Sequence, residues 1–171
     1  MRVDIVEGDA GWALVAALDA EVYTPEVMAG VIWRDVVWAR ADKRVIGSIE
    51  DVVVCHVGIF LRNAMLNGRP VKIGGIGGVM TANQARRRGY AGAALRGAVN
   101  FFESQDVDFG LLFCESHNER FYERLGWHKF GGNVFAEQPA GPLCFDLMAP
   151  MLLPSHIWPP EGVIDLCGLP W

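Results

Sequence analysis

The 171-residue chain predicts an α+β fold on a single mixed sheet, and three observations carry that expectation. Apolar runs of strand length fill the middle of the chain and are separated by turn-forming pairs. Helical spacing is confined to the opening segment, to a stretch from Ala91 and to another after Ser116. The resulting order is strand, helices, several antiparallel strands, helix, strand, helix, strands, which sets helices against one sheet.

Taken in order, "WALVAALDAEVY" and "TPEVMAGVIW" have helical spacing, with Thr24 as N-cap and Pro25 in the first turn of the second. "KRVIGSIEDVVVCHVGIFLRN" reads as two strands around a turn at Glu50 and Asp51. In "MLNGRPVKIGGIGGVMT", Asn67-Gly68 is a hairpin signal before another strand. Glycines 74, 75, 77 and 78 weaken that strand and are expected to open its backbone to close approach by a ligand. From Ala91, residues Ala91, Ala94, Leu95, Ala98, Val99 and Phe102 share a helical face. "DFGLLFC" is a short buried strand. Ser116 with Glu119 forms a capping-box pattern opening a helix that Gly126 closes, with Phe121 and Leu125 on its core stripe. "WHKFGGNVFAE" and "PLCFDLMA" read as final strands, and residues 153–171 as an irregular, Pro-rich tail packed on the domain.

The formal net charge of -5 speaks against nucleic acid as a partner, because phosphate neutralisation needs a basic face. No helix-turn-helix, zinc or RNP pattern is present. The start carries acids where a signal peptide needs an apolar core, and no apolar run has membrane-spanning length. The expectation is a soluble, cytoplasmic protein without membrane partners, its oligomeric state open to a homodimer. Cys55, Cys114, Cys144 and Cys167 are far apart, the first two inside apolar runs, which suits buried reduced thiols. His56, His128 and His156 have no metal-ligand spacing and receive no role; no metal site is expected.

Chemistry concentrates in "GGVMT", "ANQARRRGY" and "AGAALRGAVNFF": a strand, an arginine-rich turn and a helix. Arg86, Gly89 and Ala91 are spaced R-x-x-G-x-A. Glycine permits tight curvature, and small residues keep the first helical turn open, so free amide donors point into the turn. That positive helix end with adjacent arginines suits a pyrophosphate.

Downstream, "SHNERFYERLGWHKF" resembles the F-Y-x-x-x-G-[FW] ending of the GNAT superfamily of N-acetyltransferases, where it follows an R-x-x-G-x-[GA] turn at about this separation. The two motifs cover residues 73 to 130. The resemblance implies one GNAT-type domain over residues 1–171, with a mixed, mostly antiparallel sheet of about six to seven strands flanked by about four helices. It implies acetyl-CoA as co-substrate, with its pyrophosphate on Arg86, Arg87, Arg88, Gly89, Tyr90, Ala91 and Gly92. Pantetheine would lie against Val79, Met80 and Thr81, where that strand splays from the one ending at Cys114. The thioester carbonyl would meet a backbone N–H near Met80. Tyr122 is the implied general acid for the departing thiolate.

Two narrower resemblances point to the acceptor. "WARADKRVIG", "HVGIFLRN" and "WPPEGVIDLCG" look like the nodulation N-acyltransferases, which acylate an amine of a glucosamine oligosaccharide. "VCHVGIFLRNAMLNGRPVKIGG", the "LGW" after Tyr122 and a C-terminal G-x-x-W are similar to aminoglycoside 2'-N-acetyltransferases. Both imply an amino-sugar amine as the small-molecule acceptor. The aminoglycoside enzymes carry a strand glutamate where Gly77 stands here. The base that accepts the amine proton is therefore sought at Glu115 or at the carboxylate of Trp171, with His117 close by in sequence. The alternatives are transfer of a longer acyl chain, for which the small residues of "GGIGG" would leave room, and a non-catalytic CoA-binding module.

Overall fold

The computed structural model describes residues 1–171, and its element order matches the expectation with more strands. The elements are β1 (Arg2–Glu7), α1 (Gly8–Val22), α2 (Pro25–Gly30), β2 (Lys43–Ile49), β3 (Val52–Leu66) and β4 (Arg69–Thr81). Then follow α3 (Tyr90–Ser104), β5 (Phe109–Cys114), α4 (Glu119–Glu123), β6 (His128–Lys129), β7 (Asn133–Gln138), β8 (Gly141–Cys144), β9 (Ala149–Pro154) and β10 (Val163–Asp165). Ten strands replace the six or seven expected, because short pairings at the sheet margins carry no pattern of their own.

The central hairpins form where turn chemistry demands them. Glu50 and Asp51 take φ of 48° and 61°, and Asn67 and Gly68 take 50° and 75°, both positive as a two-residue hairpin turn requires. β3 is the spine: its first half pairs with β2, β4 runs along it, and Met65 and Leu66 at its end pair with β10. β10 also pairs in parallel with β7, so the tail strand joins the β7–β8 hairpin to the sheet.

Two corrections concern the C-terminal region. "PLCFDLMA" is not one strand; β8 ends at Cys144 and β9 starts at Ala149. β9 pairs with β5 and β6, and β10 forms inside the stretch expected to be irregular. A third concerns α4. Ser116–Asn118 is a 3-10 turn without a side-chain cap, because Glu119 reaches Lys129 instead, at 3.3 Å. Gly126 does close the segment, with φ of 88°. Phe121 is 37% exposed rather than core; the buried aromatic of this helix is Tyr122.

The sheet has a cluster on each face. Over one, α3 packs Ala94, Leu95, Ala98 and Phe102 against Val45, Val57, Ile59 and Ile76. On the other, Phe60, Phe113, Phe145 and Trp171 form a second core with Ile73 and Phe109. The β4 glycines fit these two layers. A Cβ on Gly74 would lie 2.6 Å from the Phe102 ring, and one on Gly75 would clash with the Trp171 indole. One on Gly77 would stand 2.9 Å from the carboxyl carbon of Trp171. The space beside Gly75 and Gly77 is thus taken in part by the protein's own Trp171, which narrows on that side the room that "GGIGG" would leave for a longer acyl chain.

Candidate active site

β4 and β5 part company along their length. They pair in parallel from Ile73–Phe109 to Ile76–Leu112, and beyond that β4 continues to Thr81 with no β5 partner while Phe113 and Cys114 pair only with β9. At the parting point β4 also bulges against β3: His56 faces Met80, but Gly58 faces Gly77. Gly78 sits in that bulge with φ of 55°. A bulge leaves its extra residue outside the ladder. A cleft of about 960 Å³ opens here, lined by Gly77, Gly78, Val79 and Met80 of β4 and by Cys114 and Glu115 at the end of β5.

Thr81 leads into a 3-10 turn, Asn83–Ala85, and then the arginine run. Arg86 folds back so that Nε donates to the Thr81 carbonyl at 3.4 Å, and Arg87 takes a left-handed φ of 62°. Gly89, with φ of 79°, is the N-cap of α3. The first turn of α3 has no acidic residue and no side-chain cap, so its leading N–H groups stay available to an anion.

Tyr122 and Glu115 line the same cleft, as does Trp171. Burial pushes the Tyr122 phenol well above its ordinary pKa, with Cys114 and Tyr23 adding to the shift. The phenol therefore holds its proton across the physiological range. Glu115 is oriented from two sides. The Trp33 indole N–H donates to Oε1 at 3.1 Å, and His117 Nδ1 lies 3.4 Å from Oε2. Trp171 is 4% exposed, stacks on Phe60 and donates its indole N–H to the Leu111 carbonyl at 3.3 Å. Burial pushes the thiol of Cys114, beside Tyr122, up to about 12, which disfavours the thiolate that a nucleophile needs.

The far wall comes from residues that pattern reading did not single out. Tyr23, Trp33, Trp38, Trp12, Asp19 and Arg44 all line the cleft. Trp33 stands edge-on to Tyr23 at 5.7 Å and to Trp38 at 5.8 Å between ring centroids. Residues 31–42, which carry the two tryptophans, lie between helix and strand and are clamped by side chain and tail. Gln138 bonds both the N–H and the C=O of Val37 at 2.9 Å, and Ala39 N–H donates to Pro170 at 2.7 Å. Burial raises the Tyr23 phenol pKa, with Asp19 and Glu115 reinforcing it. The advance signals for this wall are the density of tryptophan between Trp12 and Trp38 and the resemblance carried by "WARADKRVIG", which contains Trp38 and Arg44.

Residues 8–130 match the family model described as an acetyltransferase (GNAT) domain. The chain belongs to the GNAT acetyltransferases. Solved structures of this fold agree with that placement. Escherichia coli ElaA superposes with a TM-score of 0.63 at 14% identity, covering 89% of this chain and 98% of that one. A GNAT family acetyltransferase from Brucella melitensis, in complex with acetyl-CoA, gives 0.60 at 12% identity over 95% and 94% of the two chains. The E. coli GNAT family N-acetyltransferase YhbS, in complex with CoA, gives 0.57 at 10% identity over 96% and 88%. No curated protein sequence matches the chain significantly. This GNAT chain is thus an acetyl-CoA-dependent acyltransferase, and none of its helices is long and apolar enough to cross a membrane.

Proposed function

We propose that the protein moves an acetyl group from acetyl-CoA to a primary amine of an amino sugar or aminoglycoside-like acceptor by direct attack. The observation that carries this reading is the acceptor wall. Tyr23, Trp33 and Trp38 face the cleft beside the Glu115 carboxylate, a few residues from Tyr122. The C–H face of a pyranose packs on aromatic rings, while its ammonium and hydroxyl groups seek carboxylates.

On this reading the pyrophosphate sits on Arg86, Arg87, Arg88, Gly89, Tyr90, Ala91 and Gly92, and pantetheine runs along Val79, Met80 and Thr81. The neutral amine attacks the thioester carbon, and the developing oxyanion is held by a backbone N–H at the β4 bulge. The C–S bond then breaks, the electron pair leaves on sulfur, and Tyr122 protonates the thiolate. The proton released from the new ammonium goes to Glu115 or to the carboxylate of Trp171. The latter is supported by an exchange of position: where a strand glutamate would begin at Gly77, the Trp171 carboxyl group stands instead. Proximity within the cleft supplies much of the rate.

The test is thiol release from acetyl-CoA and octanoyl-CoA against aminoglycosides, glucosamine oligomers, polyamines and peptides. Turnover confined to acetyl-CoA with amino sugars is expected. A preference for polyamines or peptides would overturn the acceptor class, and CoA binding without release on any amine would favour a non-catalytic module. Appending one glycine after Trp171 turns its carboxylate into an amide while leaving the indole seated. Unchanged turnover in that variant would remove this carboxylate and leave Glu115 as the base.

A further inference from the structure

His56 lies on β3 at the step where the β3–β4 ladder shifts register. It is 2% exposed, and both ring nitrogens are committed. Nε2 is 3.0 Å from Arg44 Nη1, and Nδ1 is 2.7 Å from the Gly78 carbonyl oxygen. A guanidinium can only donate and a carbonyl can only accept. The two partners therefore place the proton on Nδ1 and leave the lone pair on Nε2. With both nitrogens used, His56 is not the base that takes the amine proton.

Arg44 is held as firmly. Its Nε donates to the Gly8 carbonyl at 2.6 Å, and its guanidinium lies 5.0 Å from the Trp12 ring centroid. The chain of contacts thus runs from α1 through Arg44 and His56 to a single backbone carbonyl, that of Gly78. Every peptide bond in the protein is trans. In the Gly78–Val79 peptide plane the Val79 N–H must then point opposite to the Gly78 C=O. Fixing that carbonyl against the imidazole fixes the N–H on the other side of the bulge.

We propose that Arg44 and His56 act as a positioning relay for acyl transfer, locking the peptide plane of the β4 bulge that presents a backbone N–H to the thioester carbonyl. The proposal rests on the reading above that this end of β4 holds the acyl oxygen, and it is independent of which amine is the acceptor. Neither residue touches the reacting atoms. An unlocked plane still binds the nucleotide end of CoA, which lies at the arginine turn, but loses its aim at the acyl group.

The experiment compares binding of CoA and acetyl-CoA by calorimetry in the wild type, His56→Leu and His56→Asn. Leucine keeps apolar bulk and deletes both hydrogen bonds; asparagine keeps a donor where Nδ1 stands. The wild type is expected to favour acetyl-CoA over CoA. In His56→Leu that preference falls roughly 3- to 10-fold, the worth of one hydrogen bond, while CoA binding is unchanged. His56→Asn regains most of it. Nitrogen-15 imidazole spectra of the wild type are expected to show the neutral ring protonated on Nδ1. An equal loss for both ligands, an unaltered preference in His56→Leu, or a proton on Nε2 overturns the relay. A wild type with no preference for acetyl-CoA overturns the bulge as acyl site, and the relay with it. Since no amine is present, failure of the amino-sugar assignment registers only in the acceptor panel and not here.

Discussion

The two halves of the cleft are built on different principles. On the proposed reading the donor half is nearly continuous chain, from Ile73 on β4 through the arginine turn to Gly92 in the first turn of α3, and it offers mostly backbone donors. The acceptor half is made of side chains gathered from α1, the 31–42 segment, the end of β5 and the last residue. Backbone groups suit a ligand that never varies, such as the pyrophosphate and pantetheine of CoA. Side chains from separate elements can change one at a time, so they suit the partner that differs between enzymes. The contrast predicts that donor and acceptor recognition are separable in this protein, and substitutions test that separation.

The largest effect is expected at Tyr122, which stands where the two halves meet. Tyr122→Phe should lower kcat about 100- to 10,000-fold, the range for loss of a general acid, with acetyl-CoA affinity nearly unchanged. Steady-state kinetics alongside CoA titration separate the two, and unchanged turnover would remove Tyr122 as the acid.

Acid should next expose the link between the halves. His56 is held neutral by burial, with its pKa lowered from 6.5 to about 4 and the Arg44 charge acting in the same direction. Between those values the unfolded chain binds a proton that the folded one refuses. Stability is therefore complete above pH 6.5 and falls as pH drops toward 4, by about 3 kcal/mol in total. Urea titrations across that window should show a shallower decline in His56→Leu. An identical decline in both proteins would show that other groups govern the acid loss.

On the donor side alone, Gly89→Ala forces a side chain into φ of 79° and should cost about 1–2 kcal/mol at the α3 N-cap. Weaker acetyl-CoA binding with an unaltered KM for the amine is expected by calorimetry and kinetics; a change confined to the amine would break the division. The smallest effect belongs to the acceptor side. Trp33→Phe keeps an aromatic face but removes the donor to Glu115. A rise of a few-fold in KM for the amine, with CoA affinity unchanged, is expected, since the Glu115 side chain is 37% exposed and solvent replaces much of the lost bond. Altered CoA affinity in this variant would again argue against two separable halves.

The same contrast explains what was legible in the sequence. R-x-x-G-x-A and the F-Y helix could be read because each is contiguous, and Glu50-Asp51 and Asn67-Gly68 because turn geometry is local. The tail strands could not. Pro150 and Pro154 lie within β9 and argue against a strand, yet its place between β5 and β6 makes one. The capping box failed because Lys129, ten residues away, competes for Glu119. His56 looked idle since its meaning depends on Arg44 across a hairpin and on Gly78 across a bulge. Trp33 acts through Glu115, 82 residues further on, a distance at which spacing carries no signal.

The small strand β10 has a consequence for redesign. By pairing with both β3 and β7 it fastens the hairpin whose Gln138 grips the 31–42 segment, and it leads directly to the Trp171 that floors the cleft. Residues 155–171 are therefore a cassette. On the proposed reading, exchanging them would replace the acceptor floor and loosen the grip on the tryptophan wall above it in one operation, while leaving the sequence of the arginine turn and of α3 untouched. Directed evolution toward new amines has its shortest route there, in a segment whose sequence looks least like a machine part.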